Sequence, residues 1–112
     1  MKLCDRMVDD VAILEPSGKI MGGLDATMLH EKLHECIEKG VKKVVIDLGK
    51  VDWINSTGLG LLISGFTTLR NHSGELKLAN VTEKIQSLLV ITRLVQVFES
   101  HDTVDSAVKS FK

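Results

Sequence analysis

Aromatic side chains are nearly missing from this chain. They make up 4% of its 112 residues, and tyrosine is absent altogether. A core must therefore be built from Val, Ile and Leu, and an aromatic platform for stacking single-stranded nucleic acid is excluded. A basic excess is missing too: the formal net charge is −1, and Lys42-Lys43 is the only adjacent basic pair. Without a clustered basic face, phosphate-driven nucleic-acid binding is not expected. Cysteine is limited to Cys4 and Cys36, whose separation fits no metal or redox spacing. The two read as buried free thiols in a reducing compartment. No apolar run approaches the roughly 18 residues of a membrane span. The first ten residues carry Lys2, Asp5, Arg6, Asp9 and Asp10, which is no signal-peptide pattern. The expectation is a cytoplasmic protein with no membrane partner.

What is present is ordinary globular composition, 44% hydrophobic and 26% charged. The length suits one domain, 1–112, able to bury enough surface to fold without staples. Met1 to Val8 and Val11 to Leu14 read as two strands joined at Asp9-Asp10, the second ended by Pro16-Ser17-Gly18. Ala26, Leu29, Leu33, Cys36 and Ile37 share one face of a helix from about Leu24 to Lys39, with Gly40 as its stop. Val44 to Leu48 is a continuous apolar run that suits a central strand covered on both faces. Gly49 to Trp53 reads as a connecting loop. A second helix is predicted over Ser56 to Asn71, a strand over Glu75 to Ala79, and a third helix over Thr82 to Val90 with Thr82 as its cap. A short strand at Val95 to Phe98 and a helix over Thr103 to Phe111 complete the chain. Alternating helices and strands imply an α/β fold: a mixed sheet of four to five strands with about four helices packed on it.

The chemistry concentrates in Asn55-Ser56-Thr57-Gly58-Leu59-Gly60, where the chain passes from strand to helix. Such crossings favour ligands, and a helix N-terminus presents free amides and a positive dipole end. Three readings of Ser56 compete. As a helix cap, its oxygen would accept a first-turn amide, which local spacing alone favours. As a nucleophile it lacks the G-x-S-x-G frame, and His72, the nearest histidine in sequence, is about 24 Å away along the helix. As a phosphoacceptor it would place roughly −1.5 to −2 charges at the positive end of a helix, which the fold should tolerate. A P-loop is excluded because no Gly-Lys-Ser/Thr follows the glycines.

The hexapeptide resembles the Asp-Ser-Ser/Thr-Gly-Leu-Gly signature of bacterial anti-sigma factor antagonists, the single-domain STAS proteins. The resemblance extends through the Val44–Leu48 strand, the Val51 and Trp53 loop, the Gly74–Leu78 strand, the Ile85-Leu88-Leu89 helix and Ile91-Thr92-Arg93-Leu94. In this last step Arg93 replaces the family's Gly. The resemblance implies a STAS fold, no catalytic residue and no cofactor. It also implies Ser56 as the phosphorylated residue. The implied partners are an anti-sigma factor that is also a serine kinase of the histidine-kinase-like ATPase type, and a serine phosphatase. The predicted contact surface comprises Lys19, Met21, Trp53, Asn55, Ser56, Thr57, Gly58, Leu59 and Gly60, with Gly58 and Gly60 admitting a partner backbone. Oligomeric state is left open.

Two departures stand out. Asn55 takes the place of the family's Asp, keeping hydrogen bonding and losing the charge. Lys19-Ile20-Met21-Gly22-Gly23 takes the place of an acidic segment, a change that suits a different partner. These departures keep open the alternative of a constitutive STAS interaction module that is not phosphorylated. Trp53 reads either as a core plug or as a partner anchor. His30 and His34, spaced i and i+4, could chelate a metal, but no third ligand is evident and no metal site is expected.

Overall fold

A computed structural model of the protein describes residues 2–111, without the side chain of Ala26. Met1 in the first strand and Ala26 on the first helical face therefore fall outside the described residues. The α/β architecture and the four helices are as expected, and the sheet has six strands where four to five were predicted. Strand β1 (Lys2–Val8) folds back antiparallel on β2 (Val11–Ile20) through a two-residue turn, with Val8 opposite Val11. Asp9 turns the chain at φ 57°, a left-handed conformation that Asp tolerates better than most residues.

Strand β2 runs past the expected stop. Its Val11–Leu14 part pairs with β3 (Lys43–Asp47), and its Gly18–Ile20 part pairs with β4 (Val51–Ile54), both in parallel. Gly18 donates its N–H to the Lys50 carbonyl at 3.0 Å, towards the β4 side. Pro16, two residues earlier, faces the same side, in the gap between the two ladders. Its missing N–H therefore removes no ladder bond, which is the position proline needs in a sheet. The segment predicted as a loop after Gly49 is thus largely strand β4.

Strand β3 lies between β2 and β5 (Glu75–Ala79), and β5 pairs with β6, only Ser100–His101. One sheet face carries Ala12, Leu14, Val44, Ile46, Leu76 and Leu78. It packs against α1 (Leu24–Glu38), α2 (Ser56–Asn71) and α3 (Glu83–Ile91). The opposite face carries Val11, Ile13, Val45 and Ala79 under α4 (Val104–Lys109). This alternation along each strand is what a sheet covered on both faces requires.

The helix ends explain the chain reversals. Gly40 (φ 80°) donates to the Ile37 carbonyl and Val41 to that of Cys36, the paired bonds of a Schellman stop. Alpha2 ends the same way, with Ser73 and Gly74 donating to Arg70 and Leu69. Arg93 occupies the corresponding left-handed position after α3 (φ 63°). The strand expected at Val95–Phe98 is instead a 3-10 turn, Leu94–Gln96. Val95 and Val97 are exposed there, so their β-branching has no sheet surface to pack on. Phe98 anchors this segment by burying its ring edge-on to Phe66 at 5.4 Å. Cys36 is buried as predicted, whereas Cys4 is exposed on the edge strand β1, correcting that expectation.

Candidate functional site

The N-terminus of α2 abuts the ends of β2 and β4. Asn55 is the helix cap, with extended backbone at φ −98° and ψ −177°. Its Oδ1 accepts the Gly58 N–H at 2.8 Å, and its Nδ2 donates to the Met21 carbonyl at 3.3 Å. Its own N–H donates to the Ile20 carbonyl at 3.3 Å. One side chain thus closes the helix and ties it to the loop after β2. An aspartate could make the first bond but not the second, since an ionised carboxylate only accepts.

Ser56 is therefore the first helical residue and not the cap, correcting the reading that local spacing favoured. Its hydroxyl is exposed and makes no hydrogen bond among the described residues. No acidic side chain occupies the first turn of α2, so the positive end of the helix is unneutralised. None of the histidines is bonded to Ser56. His30 and His34 bring their Nε2 atoms to 2.9 Å of each other, His72 meets the Thr68 carbonyl, and His101 meets Ser106 and Glu99. The described residues hold no group of three His, Cys, Asp or Glu side chains placed to bind a metal.

The predicted contact residues divide into two sets. Lys19, Met21, Trp53, Ser56, Thr57 and Gly60 are exposed, and Asn55 is half-buried. Gly58 and Leu59 are corrected to buried supports. A Cβ on Gly58 would run into the Ile20 carbonyl oxygen and lie 2.6 Å from Ile54 Cγ1. The glycine thus admits the protein's own backbone, not a partner's. Leu59 packs in the main core. Gly22 has a related duty: at φ 99°, its added Cβ would sit 2.6 Å from Thr57 Cγ2.

Trp53 is neither a core plug nor fully exposed, at 37% accessibility. The β2–β4 register sets Lys19 opposite it, and Lys84 of α3 places its Nζ 4.8 Å from the ring centroid. Lys19, Met21, Asp52, Trp53 and Lys84 line a shallow groove of about 340 Å³. Sequence reasoning missed Asp52 and Lys84. With β4 read as a loop, nothing in the local pattern brought α3 to Trp53.

A second polar cluster lies on β5 and β6. Lys77 is buried yet donates to Ser110 Oγ at 2.7 Å, meets Glu99 at 2.7 Å and lies over the Phe111 ring at 4.4 Å. Glu99 also meets His101 Nε2 at 2.7 Å. The hydrogen bonds from Lys77 and His101 pull the Glu99 carboxyl down to about 2.

Residues 5–107 match the family model of the STAS domain. BtrV of Bordetella bronchiseptica, provisionally named an anti-sigma factor antagonist, is 29% identical over all of this chain and 96% of its own. The anti-sigma-B factor antagonist of Bacillus subtilis is 35% identical over 71% of this chain and 75% of its own. A crystal structure from Thermotoga maritima, provisionally described as an anti-sigma factor antagonist, superposes with a TM-score of 0.86. It is 26% identical and covers 96% of this chain and 92% of its own. Among the described residues, no helix is long and apolar enough to cross a membrane.

Proposed function

The chain belongs to the STAS domain family, and from that premise we propose that it is an anti-sigma factor antagonist switched by phosphorylation of Ser56. The observation that carries this reading is the exposed Ser56 hydroxyl at the first helical position, with the capping duty discharged by Asn55. A serine that caps must keep its oxygen turned to the helix amides. A serine released from capping can offer that oxygen to a kinase. Transfer of the γ-phosphoryl from ATP would form the Oγ–P bond and release the hydroxyl proton and ADP. Both polar atoms of the Asn55 amide are committed within the fold, so the base that takes the proton would come from the kinase.

The phosphorylated side chain would add a dianion at an unneutralised helix N-terminus, a site that favours it by roughly 0.3–1 kcal/mol. The fold would persist while the surface changed. Unphosphorylated protein would bind an anti-sigma factor that is also a serine kinase of the histidine-kinase-like ATPase type, freeing the sigma factor. Phosphorylation would end that binding, and a serine phosphatase would restore it, all in the cytoplasm.

Incubation with the cognate kinase and ATP, followed by mass spectrometry, is expected to place one phosphate on Ser56 and none on Ser56→Ala. Ser56→Asp should lose the kinase in a pull-down while its melting temperature stays near that of the wild type, since exposed substitutions are usually within about 0.5 kcal/mol. Stoichiometric labelling of Ser56→Ala sinks the assignment. Equal recovery of the partner by wild type and Ser56→Asp makes the protein a constitutive interaction module.

A further inference from the structure

The groove beside Ser56 brings to one indole two lysines without a carboxylate partner among the described residues. Lys32, Lys39, Lys43, Lys50, Lys77 and Lys109 each hold a carboxylate at 2.7–3.4 Å. Lys2, Lys19, Lys42 and Lys84 hold none among the described residues, and of these only Lys19 and Lys84 line the groove built around the indole. The chain is weakly acidic overall, so two unneutralised cations flanking a half-exposed tryptophan are a local concentration of charge rather than a reflection of composition. Met21, 47% exposed, extends the apolar floor beside Trp53. Asp52 supplies the one carboxylate among the lining residues, and the Asp25 carboxylate next to Met21 is engaged by the Met21 N–H at 3.1 Å. The lining side chains are therefore net positive, two lysines against Asp52, around an apolar centre.

We propose that this groove receives an acidic segment of the protein partner, with carboxylates on Lys19 and Lys84 and an apolar side chain between them on Trp53 and Met21. Charge complementarity selects this occupant: a basic segment would face two cations, and like charges across an interface are disfavoured. Lys84 stacks on one face of the indole and can still accept a carboxylate from solvent, because its ammonium has three donors. The proposal rests on the Ser56 switch and supplies its sign. Ser56 follows Trp53 by three residues, so their Cα atoms are at most about 11 Å apart, against a screening length of about 8 Å at physiological ionic strength. Most of that span lies within one screening length, so a dianion on Ser56 repels the same acidic segment through a partly screened field, with no movement of the fold.

Trp53 is the sole tryptophan, so its emission reports this groove directly. The full chain is titrated with acetyl-Asp-Glu-Leu-Glu-Glu-Leu-Asp-Glu-amide and, separately, with the same peptide carrying Lys in place of every acid. A saturable change in Trp53 emission is expected with the acidic peptide and not with the basic one. Lys19→Glu with Lys84→Glu should weaken binding at least about fivefold, and the milder Lys19→Gln with Lys84→Gln pair should weaken it by less. Melting curves check that both variants are folded. No emission change up to millimolar acidic peptide, equal binding of the basic peptide, or unaltered binding by the folded double variants overturns the proposal. Equal binding of an oligothymidylate also overturns it, because the groove then reads anions without reading protein. The kinase pull-down separates the two levels. If Ser56→Asp releases the kinase but Lys19→Glu with Lys84→Glu retains it, the groove is wrong and the switch stands. If Ser56 is never phosphorylated, the peptide titration still decides the groove.

Discussion

At the β5–β6 edge, the charges end inside the chain: Lys77 holds Glu99 and Ser110, and Glu99 holds His101. At the N-terminus of α2, the polar groups divide. Asn55 is spent on Gly58 and Met21, while Ser56, Lys19 and Lys84 hold no polar partner among the described residues. Both regions are built from ordinary polar side chains. The first uses them to pin α4 and a two-residue strand that has little backbone ladder of its own. The second uses one residue to set the geometry and leaves the others facing solvent. Internal pairing ties the first region to the fold, and the unpaired groups of the second are what the proposed contact surface rests on.

The comparison breaks most sharply at Gly58. Gly58→Ala forces a methyl against the Ile20 carbonyl and Ile54, and is expected to cost about 2 kcal/mol in urea denaturation after its gain in helix propensity. A neutral result would mean that the α2 terminus is not seated on β2 and β4 as described. Asn55→Ala should cost about 1–2 kcal/mol, losing the cap and the link to Met21 together. Asn55→Asp separates those roles. It keeps the cap and should stay within about 0.5 kcal/mol of wild type, while amide exchange at Gly22 and Gly23 quickens.

The paired region is tested by acid. The Glu99 carboxyl is held at about 2 in the folded protein, against an ordinary 4.5. A carboxyl lowered on folding contributes stability above its unfolded value and loses it as the pH falls through the folded one. The contribution is therefore full above about pH 4.5 and fades towards pH 2. The Glu99 side chain is 55% accessible, so solvent screening reduces its worth to about 1 kcal/mol. Glu99→Gln should lose that amount at pH 7 and converge on wild type near pH 2 in thermal melts. A gain in stability is expected on the connection leading to β6. Arg93→Gly relieves a left-handed side-chain conformation and should raise stability by about 0.5–1 kcal/mol, leaving the Ser56 surface untouched.

Much of this protein was legible from its residue order. The bounds of α2, Ser56–Asn71, and of β5, Glu75–Ala79, agree with the predicted ones residue for residue. The Thr82 cap of α3 is also in place. These features follow from periodic apolar stripes and stop signals within a few residues of each other, so local chemistry suffices. The motif around Ser56 was equally plain. Its division of labour was not. Asn55 and Ser56 are both good caps by composition, and the choice between them falls to the Ile20 and Met21 carbonyls, more than thirty residues away in sequence. The same holds for β4, whose four residues become a strand only because the far end of β2 is free to pair with them. Gly58 turns inward for want of space beside Ile20, and Lys84 reaches Trp53 only when α3 packs over the sheet. Residue order by itself determined the elements and the chemical motif, because those depend on neighbours along the chain. Tertiary structure alone decided which side chains are spent on the fold and which are left facing solvent, because that depends on neighbours in space.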